Sequence, residues 1–120
     1  MKKIVLSCLL VLAVTACQKK PDSIDFVSGM QDVPLMEGLK VQRDKSSIFD
    51  TLSGKIVSAT ATGNIPERRV RRFYKDTMPH LGWAEADTLI FLKDDEQVKI
   101  TTEAQNKSTT IVHYYLSPSE

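Results

Sequence analysis

Residues 64–83 read Asn-Ile-Pro-Glu-Arg-Arg-Val-Arg-Arg-Phe-Tyr-Lys-Asp-Thr-Met-Pro-His-Leu-Gly-Trp, and this stretch decides the fold. At about 100° per residue, Val70, Phe73, Tyr74, Thr77, Met78 and Leu81 fall within an arc of about 140°, so the segment is expected to be a helix with one buried side. Asn64 is expected as its N-cap, Pro66 lies in the first turn where a missing N–H costs nothing, and Glu67 takes the capping-box position. Pro79 disfavours helix at Met78 and Gly82 ends any continuation, so the last turn is expected to kink or stop.

Outward from the helix the period changes to two. Before it, Ser47 to Leu52 and Lys55 to Thr62 are rich in β-branched and aromatic residues, and Ser53-Gly54 between them suits a two-residue hairpin turn. After it, Trp83 to Lys93, Gln97 to Ala104 and Thr109 to Leu116 read as three strands. The polar turns Asp94-Asp95-Glu96 and Gln105-Asn106-Lys107-Ser108 join them. Val98, Ile100 and Thr102 share one face of the middle strand, while Lys99, Thr101 and Glu103 share the other. The expected class is α+β, in the order β-β-α-β-β-β, with one helix packed on one face of an antiparallel sheet.

The chain ahead of these elements has a different character. Lys2 and Lys3 precede an apolar run from Ile4 to Val14, about eleven residues and too short for a permanent bilayer span, which needs about 20. Residues 1–16 therefore read as an export signal. Gln18 to Asp32 is mostly polar and keeps no period. Residues 17–32 are accordingly expected to be a tether that spans on the order of 20–24 Å and at most about 55 Å, with a single domain over 33–120. Asp32-Val33-Pro34-Leu35-Met36-Glu37-Gly38-Leu39 would start that domain as an extended stretch with a turn at Glu37-Gly38.

Val14-Thr15-Ala16-Cys17 resembles the lipobox of bacterial lipoproteins, in which small residues let a signal peptidase cut before a cysteine that already carries diacylglycerol. The resemblance implies lipidation of Cys17 by fatty acyl chains such as palmitate. Each chain contributes about 0.8 kcal/mol per buried CH₂, so more than one holds a protein stably at a membrane. Cys8 would leave with the signal and Cys17 would be consumed by lipid, so no cysteine remains for a disulfide, a zinc site or a thiol nucleophile. Loss of Lys2 and Lys3 leaves 14 basic against 15 acidic residues, about −1, which argues against a nucleic-acid partner.

Asp32-Val33-Pro34-Leu35 with Gly38-Leu39, Phe49-Asp50-Thr51, Gly54-Lys55-Ile56-Val57, Phe73-Tyr74, Met78-Pro79 with Leu81-Gly82-Trp83, and Leu116-Ser117-Pro118 together resemble a group of small uncharacterised lipoproteins of Gram-negative, alphaproteobacterial cells. These motifs are turns, caps and core residues, so the resemblance implies a fold and an address, with no catalytic residues. In such lipoproteins an aspartate after the acylated cysteine goes with inner-membrane retention. Gln18 stands there in this chain, which implies the outer membrane facing the periplasm, with the inner membrane as the alternative.

Among residues that could carry chemistry, Arg68, Arg71, Arg72 and Lys75 lie within an arc of about 100° opposite the apolar stripe, with Arg69 to one side. Guanidinium groups pair well with phosphate oxygens, so this face could dock on lipid, lipopolysaccharide or an acidic partner; a solvated helix face is the plainer reading. His80 and His113 lack the spacing of a metal site, and no G-x-S-x-G motif supports a Ser-His-Asp triad. Asp94, Asp95 and Glu96 lack the spacing of a calcium loop. Trp83, Tyr114 and Tyr115 could stack on a ligand, but Trp83 reads as a core anchor and the adjacent tyrosines must point to opposite sheet faces. No phosphate-cradling glycine motif is present, so no cofactor, metal or catalytic residue is expected.

The expected function is that of a non-enzymatic binding module, held at a membrane through Cys17, with an envelope protein as partner. Anionic lipid or lipopolysaccharide bound through the basic helix face is the alternative, and a small hydrolase is a third reading.

Overall fold

The structure, a computed structural model, describes residues 25–119. The export signal, Cys17 and the tether up to residue 24 lie outside the described residues. It is an α+β fold with a seven-stranded antiparallel sheet and one helix.

The expected hairpin forms, one residue out of step. β1 is a short strand, Lys40–Val41; β2 is Ser47–Thr51 and β3 is Gly54–Gly63. Thr51 pairs with Gly54, so Leu52 and Ser53 make the turn and Gly54 takes φ +139°, which favours glycine. β1 was not foreseen as a strand. It pairs Lys40 with Thr62 and Val41 with Ala61, and a 3-10 turn at Arg43–Lys45 then carries the chain to β2. β1 and β2 thus lie end to end along one edge of β3.

The helix α1 spans Glu67–Thr77 and buries Val70 and Tyr74. Met78 is also buried, and Phe73 and Leu81 pack against the core, as the apolar arc requires. Its start differs from expectation. Pro66 occupies the cap, its carbonyl accepting from the N–H groups of Arg69 (3.0 Å) and Val70 (3.2 Å). Asn64 Oδ1 accepts instead from the Thr109 hydroxyl at 3.1 Å, and Glu67 sits 3.7 Å from Arg71. Burial of Ile65 explains the shift, because drawing that side chain into the core leaves Asn64 outside the first turn. At the other end Pro79 acts as expected: α1 stops, Met78–Leu81 forms a 3-10 turn, and Gly82 reverses the chain at φ +94°.

β4 (Ala84–Asp87), β5 (Ile90–Lys93), β6 (Glu96–Ala104) and β7 (Thr110–Pro118) follow. The expected single strand Trp83 to Lys93 is therefore a hairpin turning at Thr88-Leu89. No glycine, asparagine or proline marks that turn. Leu89 adopts φ +54°, a conformation leucine rarely takes, because its side chain is 4% exposed and its carbonyl accepts the Ile100 N–H at 2.9 Å. The sheet order is β1-β3-β7-β6-β5-β4, with β2 also on β3.

One sheet face is apolar: Val57, Ala59 and Ala61 of β3, Val112, Tyr114 and Leu116 of β7, Val98 and Ile100 of β6, and Phe91 of β5. Six strand positions are about 24 Å across, whereas one helix is about 10–12 Å wide, so α1 cannot cover the face alone. The segment expected to be tether supplies the rest. Val27 and Met30 are 1% and 2% exposed, and residues 25–35 fold back on themselves. Phe26 bridges to Pro34, and the Val27 N–H donates to the Val33 carbonyl at 2.8 Å. The folded body thus includes residues 25–32, which corrects a tether drawn as far as Asp32. Ile24, Phe26, Val27 and Met30, the apolar residues of that stretch, follow spacings of two, one and three, which give no period of 2 or 3.6 to detect.

Candidate functional site

The outer side of α1 carries Arg68, Arg69, Arg71, Arg72 and Lys75, all exposed. Arg71 is held in place: its Nη1 lies 3.7 Å from Glu67 Oε1 and donates to Thr102 Oγ1 on β6 at 3.5 Å. Arg68, Arg69, Arg72 and Lys75 make no ion pair among the described residues. The helix runs alongside the β4–β5 hairpin, and a crevice of about 180 Å³ opens between them, lined by Arg71, Arg72, Lys75, Glu85, Thr88 and Leu89. Three of the four cations expected as a site thus meet there, while Arg68 lies off it. Glu85, Thr88 and Leu89 join them only through the β4–β5 hairpin, which a single strand from Trp83 to Lys93 does not contain.

The hairpin wall is fixed. Leu89 is tied to β6 through its carbonyl, and the Thr88 N–H donates to Asp87 Oδ1 at 2.7 Å. On the helix wall, Arg71 and Lys75 are one turn apart, as are Arg72 and Lys75, which sets all three on one flank. Positive charge on one side and a carboxylate with a hydroxyl on the other make the crevice a polar cleft suited to binding an ion with two ends.

His113 lies on the opposite, open face of the sheet. Its Nδ1 is 3.2 Å from Thr60 Oγ1 and its Nε2 is 3.6 Å from Glu103 Oε2, so a hydroxyl, an imidazole and a carboxylate do line up. The surroundings suit a polar cross-strand link better than a nucleophile. β3 is paired here on both sides, with His113 opposite Thr60 on β7 and the Gln42 N–H on the Thr60 carbonyl at 2.8 Å. The ladder engages the backbone around the hydroxyl, whereas an oxyanion needs free donors aimed at it. His80 is exposed in the 3-10 turn after α1.

The remaining candidates are structural. Asp94 and Asp95 form the two-residue β5–β6 turn, with Asp94 at φ +53°. Among the described residues no three His, Cys, Asp or Glu side chains are grouped to hold a metal, and no helix is long and apolar enough to cross a membrane. Trp83 is buried, its Nε1–H donating to the Asp32 carbonyl at 2.9 Å. Lys93 Nζ donates to the Leu81 carbonyl at 2.9 Å and sits 3.2 Å from Asp32 Oδ2. Of the adjacent tyrosines, Tyr114 is core and Tyr115 lies on the open face.

Beneath α1, Tyr74 donates to the Pro34 carbonyl at 2.9 Å and accepts from the Tyr114 hydroxyl at 2.5 Å. The Met36 N–H also approaches Tyr74 Oη at 3.4 Å. Burial pushes Tyr74 up to about 12, with the Tyr114 and Met36 hydrogen bonds pulling the other way. Burial also raises Tyr114, and its closeness to Tyr74 adds to the rise. Both phenols stay neutral and serve as struts between helix, β7 and the N-terminal segment.

No family model, no curated protein and no solved structure matches this chain.

Proposed function

We propose that this chain is a bacterial envelope lipoprotein, anchored through an acylated Cys17, whose single domain binds rather than catalyses and meets phosphate-bearing surfaces with the outer face of α1. The address rests on the export signal, the lipobox-like Val14-Thr15-Ala16-Cys17 and the resemblance to small Gram-negative lipoproteins; Gln18 favours the outer membrane, facing the periplasm. Only eight peptide steps separate Cys17 from Asp25, a reach of at most about 29 Å, so an anchored domain works close to headgroups.

The observation that carries the binding reading is the set of four exposed cations on α1 without an ion pair among the described residues. Guanidinium groups offer paired donors to phosphate oxygens, and a charge near an anionic surface contributes about 1 kcal/mol. Flotation of the non-acylated chain (Cys17→Ser) with anionic vesicles tests it. Replacing Arg68, Arg71 and Arg72 with Gln should weaken binding roughly 100-fold at low salt, and raised salt should do the same to the parent. Binding that ignores both changes would sink this reading. Mass spectrometry of membrane-derived protein tests the anchor: an unmodified thiol at Cys17 would remove it.

An envelope protein as partner is a second reading, favoured by β2. All five of its residues are exposed, Phe49 at 62%, and its outer edge pairs with no other strand among the described residues, so it offers backbone groups that another extended segment could meet. Crosslinking in native membranes through a photoreactive residue at Phe49 should capture one reproducible partner; none would count against it.

A further inference from the structure

The crevice between α1 and the β4–β5 hairpin has a sharper chemistry than the helix face as a whole. Arg72 and Lys75 stand on one wall and Glu85 on the other, yet neither cation lies within 4.0 Å of that carboxylate. Opposite charges therefore line the same space without forming a direct ion pair. A bare phosphate would satisfy the cations and be repelled by Glu85. A ligand with an anionic end toward α1 and a cationic end toward the hairpin satisfies both walls, and the Thr88 hydroxyl adds a donor or acceptor beside the carboxylate.

Size narrows the ligand further. At about 180 Å³ the crevice is smaller than the roughly 300–1,000 Å³ of pockets that enclose drug-sized molecules, so it suits a phosphate with a short arm. Part of the lining is set in advance, Arg71 by Glu67 and Thr102 and the hairpin turn by the bond from Ile100 to the Leu89 carbonyl, while Arg72 and Lys75, in no ion pair among the described residues, keep their donors for the ligand. A partly fixed lining lowers the ordering cost of binding a small, weakly held group. We propose that this crevice binds a phosphoethanolamine group, its phosphate on Arg72 and Lys75 with Arg71 beside them and its ammonium on Glu85. The proposal rests on the reading of α1 as the phosphate-facing side of the domain and adds a selectivity that a diffuse basic face does not have.

The group could come from a phospholipid or be carried on a soluble or glycan-linked molecule, and one set of titrations separates the sources. The acylated full-length mature protein, in non-ionic detergent, is titrated calorimetrically with inorganic phosphate, O-phosphoethanolamine and a short-chain phosphatidylethanolamine. O-phosphoethanolamine should bind about fivefold tighter than phosphate, the scale of one partly exposed charge pair. Glu85→Gln should erase that preference. Arg72→Gln with Lys75→Gln should abolish binding of both, while Arg68→Gln with Arg69→Gln, off the crevice, should leave it intact. Tighter binding of the lipid than of O-phosphoethanolamine supports the proposal with a membrane source, and equal binding supports it with a soluble or glycan source. Phosphate binding as well as phosphoethanolamine, or equal losses in the two double variants, would overturn it. Anionic-vesicle binding can survive either result, so the crevice can fail while the α1 reading stands.

Discussion

Two pieces of chain cover the same apolar sheet face, and they do it by different physics. α1 satisfies its own backbone through its internal ladder, so its inner side needs only to be apolar and its outer side is free to carry five cations. Residues 25–39 have no such ladder over most of their length. Their carbonyls are met one at a time: Pro34 by Tyr74 and Asp32 by Trp83 from elsewhere in the fold, and Val33 by Val27 within the segment. Buried backbone groups need partners, so the irregular half depends on a few specific side chains while the regular half depends on a repeating pattern. The contrast teaches that four of the five cations of α1 are spare for binding, whereas the carbonyls of Asp32, Val33 and Pro34 on the N-terminal segment are committed to the fold.

The severest way to test this contrast is to delete residues 25–32. A tether would leave with no loss; a packed segment takes the burial of Val27 and Met30 with it, about 3–6 kcal/mol, read as a fall in the urea midpoint. That is a large share of the 5–15 kcal/mol typical of a domain, so partial unfolding in buffer is the expected outcome.

Alkali comes next. The native state keeps the Tyr74 proton to about 12, while the unfolded chain loses it near 10, so the native state binds more protons across that window. Stability should be unaffected by Tyr74 below about pH 10 and fall as pH rises toward 12, by on the order of 2–3 kcal/mol from this group alone. Tyr114, raised in the same direction, steepens the fall. Urea titrations at a series of pH values measure the slope, and Tyr74→Phe should reduce it.

At neutral pH, Tyr74→Phe leaves the Pro34 carbonyl, the Met36 N–H and the Tyr114 hydroxyl without this partner and should cost about 2 kcal/mol. Tyr114→Phe keeps the bond to Pro34 and should cost about 1 kcal/mol. Amide exchange at Val27 and Leu35 should speed up more in the first variant than in the second. Lys93→Met, which removes a half-buried cation from the Leu81 carbonyl and Asp32, should cost up to about 1 kcal/mol. Smallest of all, Arg68→Gln and Arg72→Gln should move the midpoint by no more than about 0.5 kcal/mol while weakening vesicle binding. A midpoint shift as large as that of Tyr74→Phe would show the helix charges to be structural after all.

Much of this was legible beforehand, for local reasons. The apolar arc from Val70 to Leu81, the stop at Pro79 and Gly82, the Ser53-Gly54 region as a turn and the alternation in β6 each depend on residues within one or two turns of one another. The break at Thr88-Leu89 was not legible, because a leucine at positive φ is tolerated only where burial and the Ile100 bond hold it. Asn64 looked like a cap until the burial of Ile65 displaced it. The candidate site divides along the same line: its cations lie on one helix and were visible as a cluster, whereas Glu85 and Thr88 join them only through the unforeseen hairpin.

By itself the sequence settled where the helix and the longer strands β2, β3, β6 and β7 lie to within a few residues, and which side of the helix is apolar, since those patterns are carried by near neighbours along the chain. Only the tertiary structure decided that Val27 and Met30 belong to the core, that β1 and β2 share one edge, and that a carboxylate faces Arg72 and Lys75 across a cleft. Those outcomes depend on how wide a sheet must be covered and on contacts between residues far apart in the chain, which no local periodicity encodes.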